Sequence, residues 1–239
     1  MKKIISLVLA LVLALSLVAC GGTSSEAPKG NITQNPTQAA TTPAETEGAT
    51  EAATEAATEA ATEDDTASLG AMQGGVYTNE YAGLKLTLDD KWTFSTEEEL
   101  KELDAEDMED GEMVTDMLAE NMTDFQSINL GYQKLTASER LAALTTTEEE
   151  LIDEMLAEKD DFVASYAEAG ITVTNMEKKT VTFLGQERTA LKTTASIEGI
   201  PYYVLQFMDY SKGAFGVIIT LGSFLDDTTE DLLSLFEAI

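Results

Sequence analysis

The hydrophobic positions divide the chain into three regimes. Ile4 to Val18 is an almost unbroken apolar run behind Met1-Lys2-Lys3. From Gly21 to about Gly75, large apolar residues are scarce and no aromatic residue occurs. From Val76 onward the apolar positions become periodic. This pattern predicts a leader over residues 1–19, a tether over 20–75 and a folded domain over 76–239, long enough for a core of its own.

Within the domain the period switches between two and about three and a half. Leu84, Leu86 and Leu88 alternate with Lys85 and Thr87, the pattern of a strand. Asp89-Asp90-Lys91 predicts a turn into Trp92-Thr93-Phe94. Ser95 and Glu98 stand in capping-box register, so a helix is expected to about Asp107, with acids in its first turn. Beyond Gly111, Met113, Val114, Met117 and Leu118 repeat at helical spacing. Gln126 to Lys134 alternates again, with Ile128, Leu130 and Tyr132 on one side. Thr147 and Glu150 form another capping box. The stripe from Leu151 through Ile152, Met155, Phe162 and Tyr166 then predicts one long helix ending at Gly170.

Four strands are expected near 171–183, 187–197, 201–210 and 214–221. Their connections are too short to join anything but antiparallel neighbours. Ile200 to Met208 is apolar on both parities except at Gln206, as in a central strand covered on both faces. A last helix over about 227–238 is expected to bury Leu232, Leu233, Phe236 and Ile239. The fold class that follows is α+β: an antiparallel β-sheet, largely a strand meander, packed with about three helices and preceded by a disordered tether.

Composition removes several chemistries. The 239 residues include 14 Lys+Arg, 44 Asp+Glu and one Cys but no His, for a formal net charge of −30. Without His there is no Ser-His triad, no His general base and no His-ligated metal. One Cys excludes a disulfide framework and a CxxC zinc site. The charge opposes nucleic acid, whose phosphates require Lys and Arg. No cofactor is expected.

The apolar run of Ile4–Val18 would span about 22 Å as a helix, short of the ~30 Å hydrocarbon core, which favours a secretory signal over a membrane span. It ends Leu17-Val18-Ala19-Cys20-Gly21-Gly22, which resembles the bacterial lipobox. The resemblance implies cleavage after Ala19, diacylglyceryl attachment to Cys20 and a place on the outer face of the bacterial cytoplasmic membrane. Two acyl chains suffice for stable anchoring.

The tether cannot bury enough apolar surface to offset its ordering entropy. Its Glu51–Glu63 segment repeats Glu-Ala-Ala-Thr with a period of four, stacking like charges on one helical side. It reads as a spacer, with O-glycosylation of its Thr residues as the alternative. As a flexible coil it has an r.m.s. span of roughly 40 Å.

Tyr77-Thr78-Asn79, Gly83-Leu84-Lys85-Leu86-Thr87-Leu88, Trp92, the acidic helix, the long helix before the meander, the Gly185-Gln186 turn and paired Tyr202-Tyr203 together resemble PsbP/DcrB-like domains, which include many small lipoproteins of Gram-positive bacteria. The resemblance implies an accessory or binding role. Asp89-Asp90-Lys91 departs from it, since such domains often carry Pro and Gly before the Trp.

Three features carry candidate chemistry. Residues 95–124 hold 13 acids and one Lys, and Glu106, Asp107, Glu109 and Asp110 form a candidate weak divalent-cation surface. An EF-hand is excluded because Met108 and Met117 fall at ligand positions when Gly111 is the loop glycine. Tyr77 and Tyr81 are a candidate aromatic binding surface, while the single Trp92 reads as core. The nine Met read as packing residues. The expected function is therefore a lipid-anchored, non-catalytic module that binds an envelope protein or surface glycan. A carboxylate-based glycan hydrolase or a purely structural acidic surface protein are the alternatives.

Overall fold

The computed structural model describes residues 70–107, 113–211 and 213–239. The expected leader, the lipobox and nearly all of the tether lie outside them. The described chain runs β1 (Ala71–Gln73), β2 (Val76–Asn79), β3 (Leu84–Thr87), β4 (Thr93–Phe94), α1 (Glu97–Asp107), β5 (Met113–Asn121), β6 (Gln126–Lys134), α2 (Ala137–Ala143), α3 (Glu148–Ala157), α4 (Lys159–Glu168), β7 (Ile171–Phe183), β8 (Gln186–Ile197), β9 (Ile200–Asp209) and β10 (Phe215–Phe224). A 3₁₀ turn (Asp231–Leu235) and β11 (Phe236–Ala238) close it.

These elements build an α+β fold with two antiparallel sheets. The larger has the order β4-β5-β6-β10-β9-β8-β7, and the smaller has the order β1-β2-β3-β11. The four strands of the meander fall where alternation placed them. Leu184-Gly185 and Glu198-Gly199 are two-residue hairpin loops with positive φ at both positions, 52° and 76° in the first and 51° and 83° in the second. Those angles define type I′ turns, which match the right-handed twist of the strands they join. β9 lies inside the sheet between β10 and β8 and is buried from Val204 to Met208, as expected of a central strand.

The large sheet is covered on both faces. The small sheet packs on one, where Tyr77, Leu84 and Leu86 meet Ile128, Leu130, Phe207 and Leu221. On the other, Ile152 and Met155 of α3 and Phe162 and Tyr166 of α4 pack on Leu191, Val204, Met208 and Ile218. Leu100 and Leu103 seat α1 on Leu118. Trp92 is half-buried against the first cluster, in line with its reading as core.

Four expectations need correction. Residues 113–121 form strand β5 rather than a helix. A β-bulge between Thr115 and Met117 adds one residue to β5, so Met113 packs with the helix-covered cluster and Met117 with the opposite one. Their spacing of four therefore marks two faces of a strand, not one face of a helix. The long helix expected over 147–170 is two, broken at Glu158, whose φ and ψ of −101° and 14° leave the helical region. A further helix, α2, precedes it, bringing the number of α-helices among the described residues to four. It carries the same capping box, with Glu139 N donating to Thr136 Oγ1 and Thr136 N donating to Glu139 Oε2 at 2.7 Å. The expected terminal helix is a 3₁₀ turn followed by β11, where Phe236 pairs with Leu86. Pairing with β3 satisfies a backbone edge that a helix would leave open.

The first cap is displaced by one residue. Thr96, not Ser95, caps α1 by accepting from Glu99 N and donating to Glu99 Oε2, while Ser95 N donates to Leu118 O at 2.9 Å. β1 also lies upstream of Val76 and pairs with β2 from Ala71 to Gln73. No helix among the described residues is long and apolar enough to cross a membrane.

Candidate binding cleft at one end of the sheet

The helices of one layer and the strands of the other separate at the end of the sheet that holds the β7–β8 turn. There they leave a cleft of about 810 Å³. Its floor comes from β6, β8 and β9 through Gln133, Arg188 and Asp209. One wall is α2 and the start of α3, and the other is Ala82-Gly83 with Ala238 and Ile239. Apolar surface enters it from Leu135, Leu151, Met155 and Phe183.

Arg188 is the electrostatic centre. Its guanidinium pairs directly with Glu148, the first residue of α3, and lies 4.0 Å from Asp209 Oδ2. Its side chain retains only 18% exposure, so both contacts are poorly screened. The backbone N–H of Thr189 donates to Glu148 at 3.4 Å. Asp209 also accepts from Ser211 N and Ser211 Oγ, which closes the β9–β10 turn. Ser211 is thus a turn residue. Tyr210 donates its hydroxyl to Gln133 Oε1 at 2.6 Å. Burial, and secondarily the charge of Glu139, pushes that hydroxyl well above the usual tyrosine range, so it stays a donor at any ordinary pH.

A second polar cluster lies between the sheets. Asp116 accepts from Gly70 N, from Tyr77 OH and, at 2.7 Å, from Asn79 Nδ2. Asn79 Nδ2 also contacts Tyr132 OH. Tyr77, Asn79 and Tyr132 are buried. Burial, then the Asp116 charge, drives the Tyr77 hydroxyl far up, so it remains protonated.

The residues singled out from sequence fall in different places. Tyr77 is 1% exposed, and Tyr81 packs edge-on against Tyr132 and Phe215, donating to Phe215 O at 3.0 Å. Of the expected Tyr77–Tyr81 binding surface, Tyr77 is core, with its hydroxyl bonded to Asp116, while Tyr81 is half-buried against that core with its hydroxyl bonded to the Phe215 carbonyl. Met113, Met117 and Met155 are buried, consistent with packing. Glu106 and Asp107 end α1, with side chains outside the described residues, and Glu109 and Asp110 lie outside them altogether. Among the described residues, no group of three acids is arranged to hold a metal ion. Cys20 and Leu17-Val18-Ala19 also lie outside the described residues.

The cleft residues Glu148, Arg188 and Asp209 escaped notice because they are 40 and 21 positions apart along the chain. One signal was available: Arg188 and Arg140 are the only arginines in the sequence. Tyr202 is buried, stacks on Phe224 at 4.5 Å and has no hydrogen-bond partner for its hydroxyl among the described residues.

No protein-family model and no curated protein matches the chain. Solved structures do. One is the solution structure of cyanobacterial PsbP (CyanoP) from Synechocystis sp. PCC 6803. It is 11% identical over 69% of this chain and 91% of that one, with a TM-score of 0.41. Another is a crystal structure from Bacteroides thetaiotaomicron VPI-5482. It is 13% identical over 70% of this chain and 49% of that one, with a TM-score of 0.36. The match therefore spans about half the length of the second structure.

Proposed function

We propose that the chain is an extracytoplasmic lipoprotein. Cys20 anchors it to the outer face of a bacterial cytoplasmic membrane, and its domain binds a partner of the envelope without catalysing a reaction. The observation that carries this reading is Leu17-Val18-Ala19-Cys20: the only Cys of the chain stands at the one position a lipobox requires, behind a basic and then apolar leader. The cleft supports the binding role. Its carboxylates Glu148 and Asp209 both face Arg188, an arrangement that holds charge in place instead of offering an acid and a base to a scissile bond.

Metabolic labelling with a radioactive fatty acid, with cell fractionation, tests the anchor. The wild type is expected in the membrane fraction, labelled and shortened by its leader. Cys20→Ser is expected to lose the label and either remain as precursor or leave the membrane. A Cys20→Ser protein of unchanged mass and unchanged membrane retention sinks the proposal.

A further inference from the structure

Strand β7 is the outer strand of the large sheet and pairs with β8 on one side only. At 13 residues it is the longest strand among the described residues, whereas β4 at the opposite edge has two, and β1 and β11 at the edges of the small sheet have three each. A short edge offers little to pair with, but a long one presents a row of open backbone groups. The β7–β8 turn sets the phase of that row. Its two-residue loop closes on a hydrogen-bonded pair, Phe183 with Gln186, and bonded and unbonded pairs alternate from there. Val181, Lys179 and Glu177 therefore bond to β8, while Thr182, Thr180, Lys178 and Met176 turn their N–H and C=O groups outward. Thr189, opposite Thr180, fits this phase, because its N–H leaves β7 for Glu148. None of the four outward residues has a backbone partner among the described residues.

The charges on this edge do not close it. Lys178 is drawn onto α3, where it donates to Glu149 at 2.8 Å and to Asp153 at 2.9 Å. Lys179 is drawn the other way, onto Glu230 beyond β10. The bulge between Val173 and Asn175 lies to one side and leaves residues 175–183 in regular pairing. Within them, Asn175-Met176-Glu177-Lys178-Lys179-Thr180-Val181 is complementary to its own reverse. With a two-fold axis through Lys178, Met176 of one copy meets Thr180 of the other in an outward, bonded pair. Glu177 meets Lys179 in an unbonded pair, where side chains approach most closely, and the symmetry makes this contact twice. Opposite charges in such pairs stabilise and like charges destabilise. The two Lys178 meet on the axis, each already held by two carboxylates of its own α3. Moving the axis to Glu177 or to Lys179 instead sets like charges against each other.

We propose that β7 pairs antiparallel with β7 of a second copy of this chain, centred on Lys178, so that two large sheets join into one. The inference goes beyond the function proposed above and does not depend on it, although two copies anchored to one membrane would meet at a raised effective concentration. Residues 76–239 carry 35 acids and 11 bases, so two copies repel at long range, and the pairing belongs to physiological rather than low ionic strength.

Sedimentation equilibrium of the full chain in detergent, at physiological salt, tests it. The wild type is expected to form a reversible dimer. Thr180→Pro removes an outward N–H without cutting the β7–β8 ladder, and is expected to weaken the dimer by about tenfold or more with an unchanged melting temperature. Glu177→Lys and Lys179→Glu each set like charges opposite, and each is expected to weaken the dimer by about tenfold or more. Mixing these two single variants restores both opposite-charge pairs and is expected to restore dimers, as is the double variant alone. A wild type that stays monomeric throughout the micromolar range overturns the proposal. So does a dimer indifferent to Thr180→Pro and Glu177→Lys, or a mixture of the two charge variants that remains monomeric.

Discussion

Gly70 donates its backbone N–H to both carboxylate oxygens of Asp116, at 2.9 and 3.1 Å, across 46 residues of sequence. The start of the described chain is thus fastened to β5 at the bulge, where the extra residue leaves the ladder and its carboxylate can reach the small sheet. The approach is close. A Cβ on Gly70 would lie 2.3 Å from the Tyr77 ring, which is itself buried and bonded to Asp116. Gly70→Ala is therefore expected to destabilise the fold by about 1–3 kcal/mol through forced displacement of the ring. Asp116→Ala is expected to cost at least as much, since it leaves Tyr77 OH and an Asn79 proton short of their acceptor. Chemical denaturation monitored by near-UV circular dichroism checks both, and a Gly70→Ala midpoint equal to that of the wild type contradicts the contact.

Lys192 is buried at 4% exposure on the sheet face beneath the loop that follows β10. Its ammonium donates to Asp227 and, at 2.6 Å, to Thr229 Oγ1. Asp227 keeps 39% of its side chain exposed. The two ends of this pair should respond differently to removal. Asp227→Ala strands a buried cation and is expected to cost about 2 kcal/mol, whereas Lys192→Met leaves a carboxylate that water can reach and is expected to cost less than about 1 kcal/mol. Burial works against the Asp227 charge, but the hydrogen bonds from Lys192 and Thr229 outweigh it and hold the carboxyl below its ordinary value. A lowered folded-state value means that this stabilisation is present above the ordinary carboxyl range and is lost as pH falls through the lowered value. Thermal melts of both variants across the acid range check the order, and equal losses contradict it.

Asp104 carries the opposite sign. Half-burial against β5 raises its carboxyl, only partly offset by the hydrogen bonds it accepts from Thr115. A raised folded-state value makes the ionised form a cost, which appears as pH rises from the ordinary carboxyl range through the raised value. Asp104→Asn keeps an oxygen for Thr115 N and removes that charge. It is expected to melt higher than the wild type at pH 7 and to lose the advantage near pH 4, about the ordinary carboxyl value. A constant difference between the Asp104→Asn variant and the wild type over this range refutes the assignment.

Much of the local structure could be read residue by residue. The capping box at Thr147 and the I′ turns at Gly185 and Gly199 depend on neighbours a few positions apart, so their signals lie within a short window. Strands β7 to β10 were equally plain, because alternation and two-residue turns act over the same range. The misread elements share a cause. A spacing of four serves one helix face, and on a strand it serves one face only until a bulge intervenes, so Met113 and Met117 gave a helical signal from opposite sides of a sheet. Phe236 likewise kept helical spacing with Leu232, although pairing with Leu86 decided its state.

The aromatic residues mark the same boundary between local and long-range information. Tyr77 and Tyr81 are amphipathic and suit a surface as well as a core. Asp116 and the Phe215 carbonyl, each dozens of residues away, supplied the partners that took their hydroxyls inward.

By itself the sequence determined the class of domain, the antiparallel meander and the cap at Thr147, because each depends on composition or on contacts within a few residues. Only the tertiary structure decided which face each apolar residue serves, how the chain start is fastened through Gly70 and Asp116, and where a cleft opens. Glu148, Arg188 and Asp209 become a site only when α3, β8 and β9 meet at one end of the sheet. That meeting is set by the burial of both sheet faces, a property of the whole core that no short stretch of sequence contains.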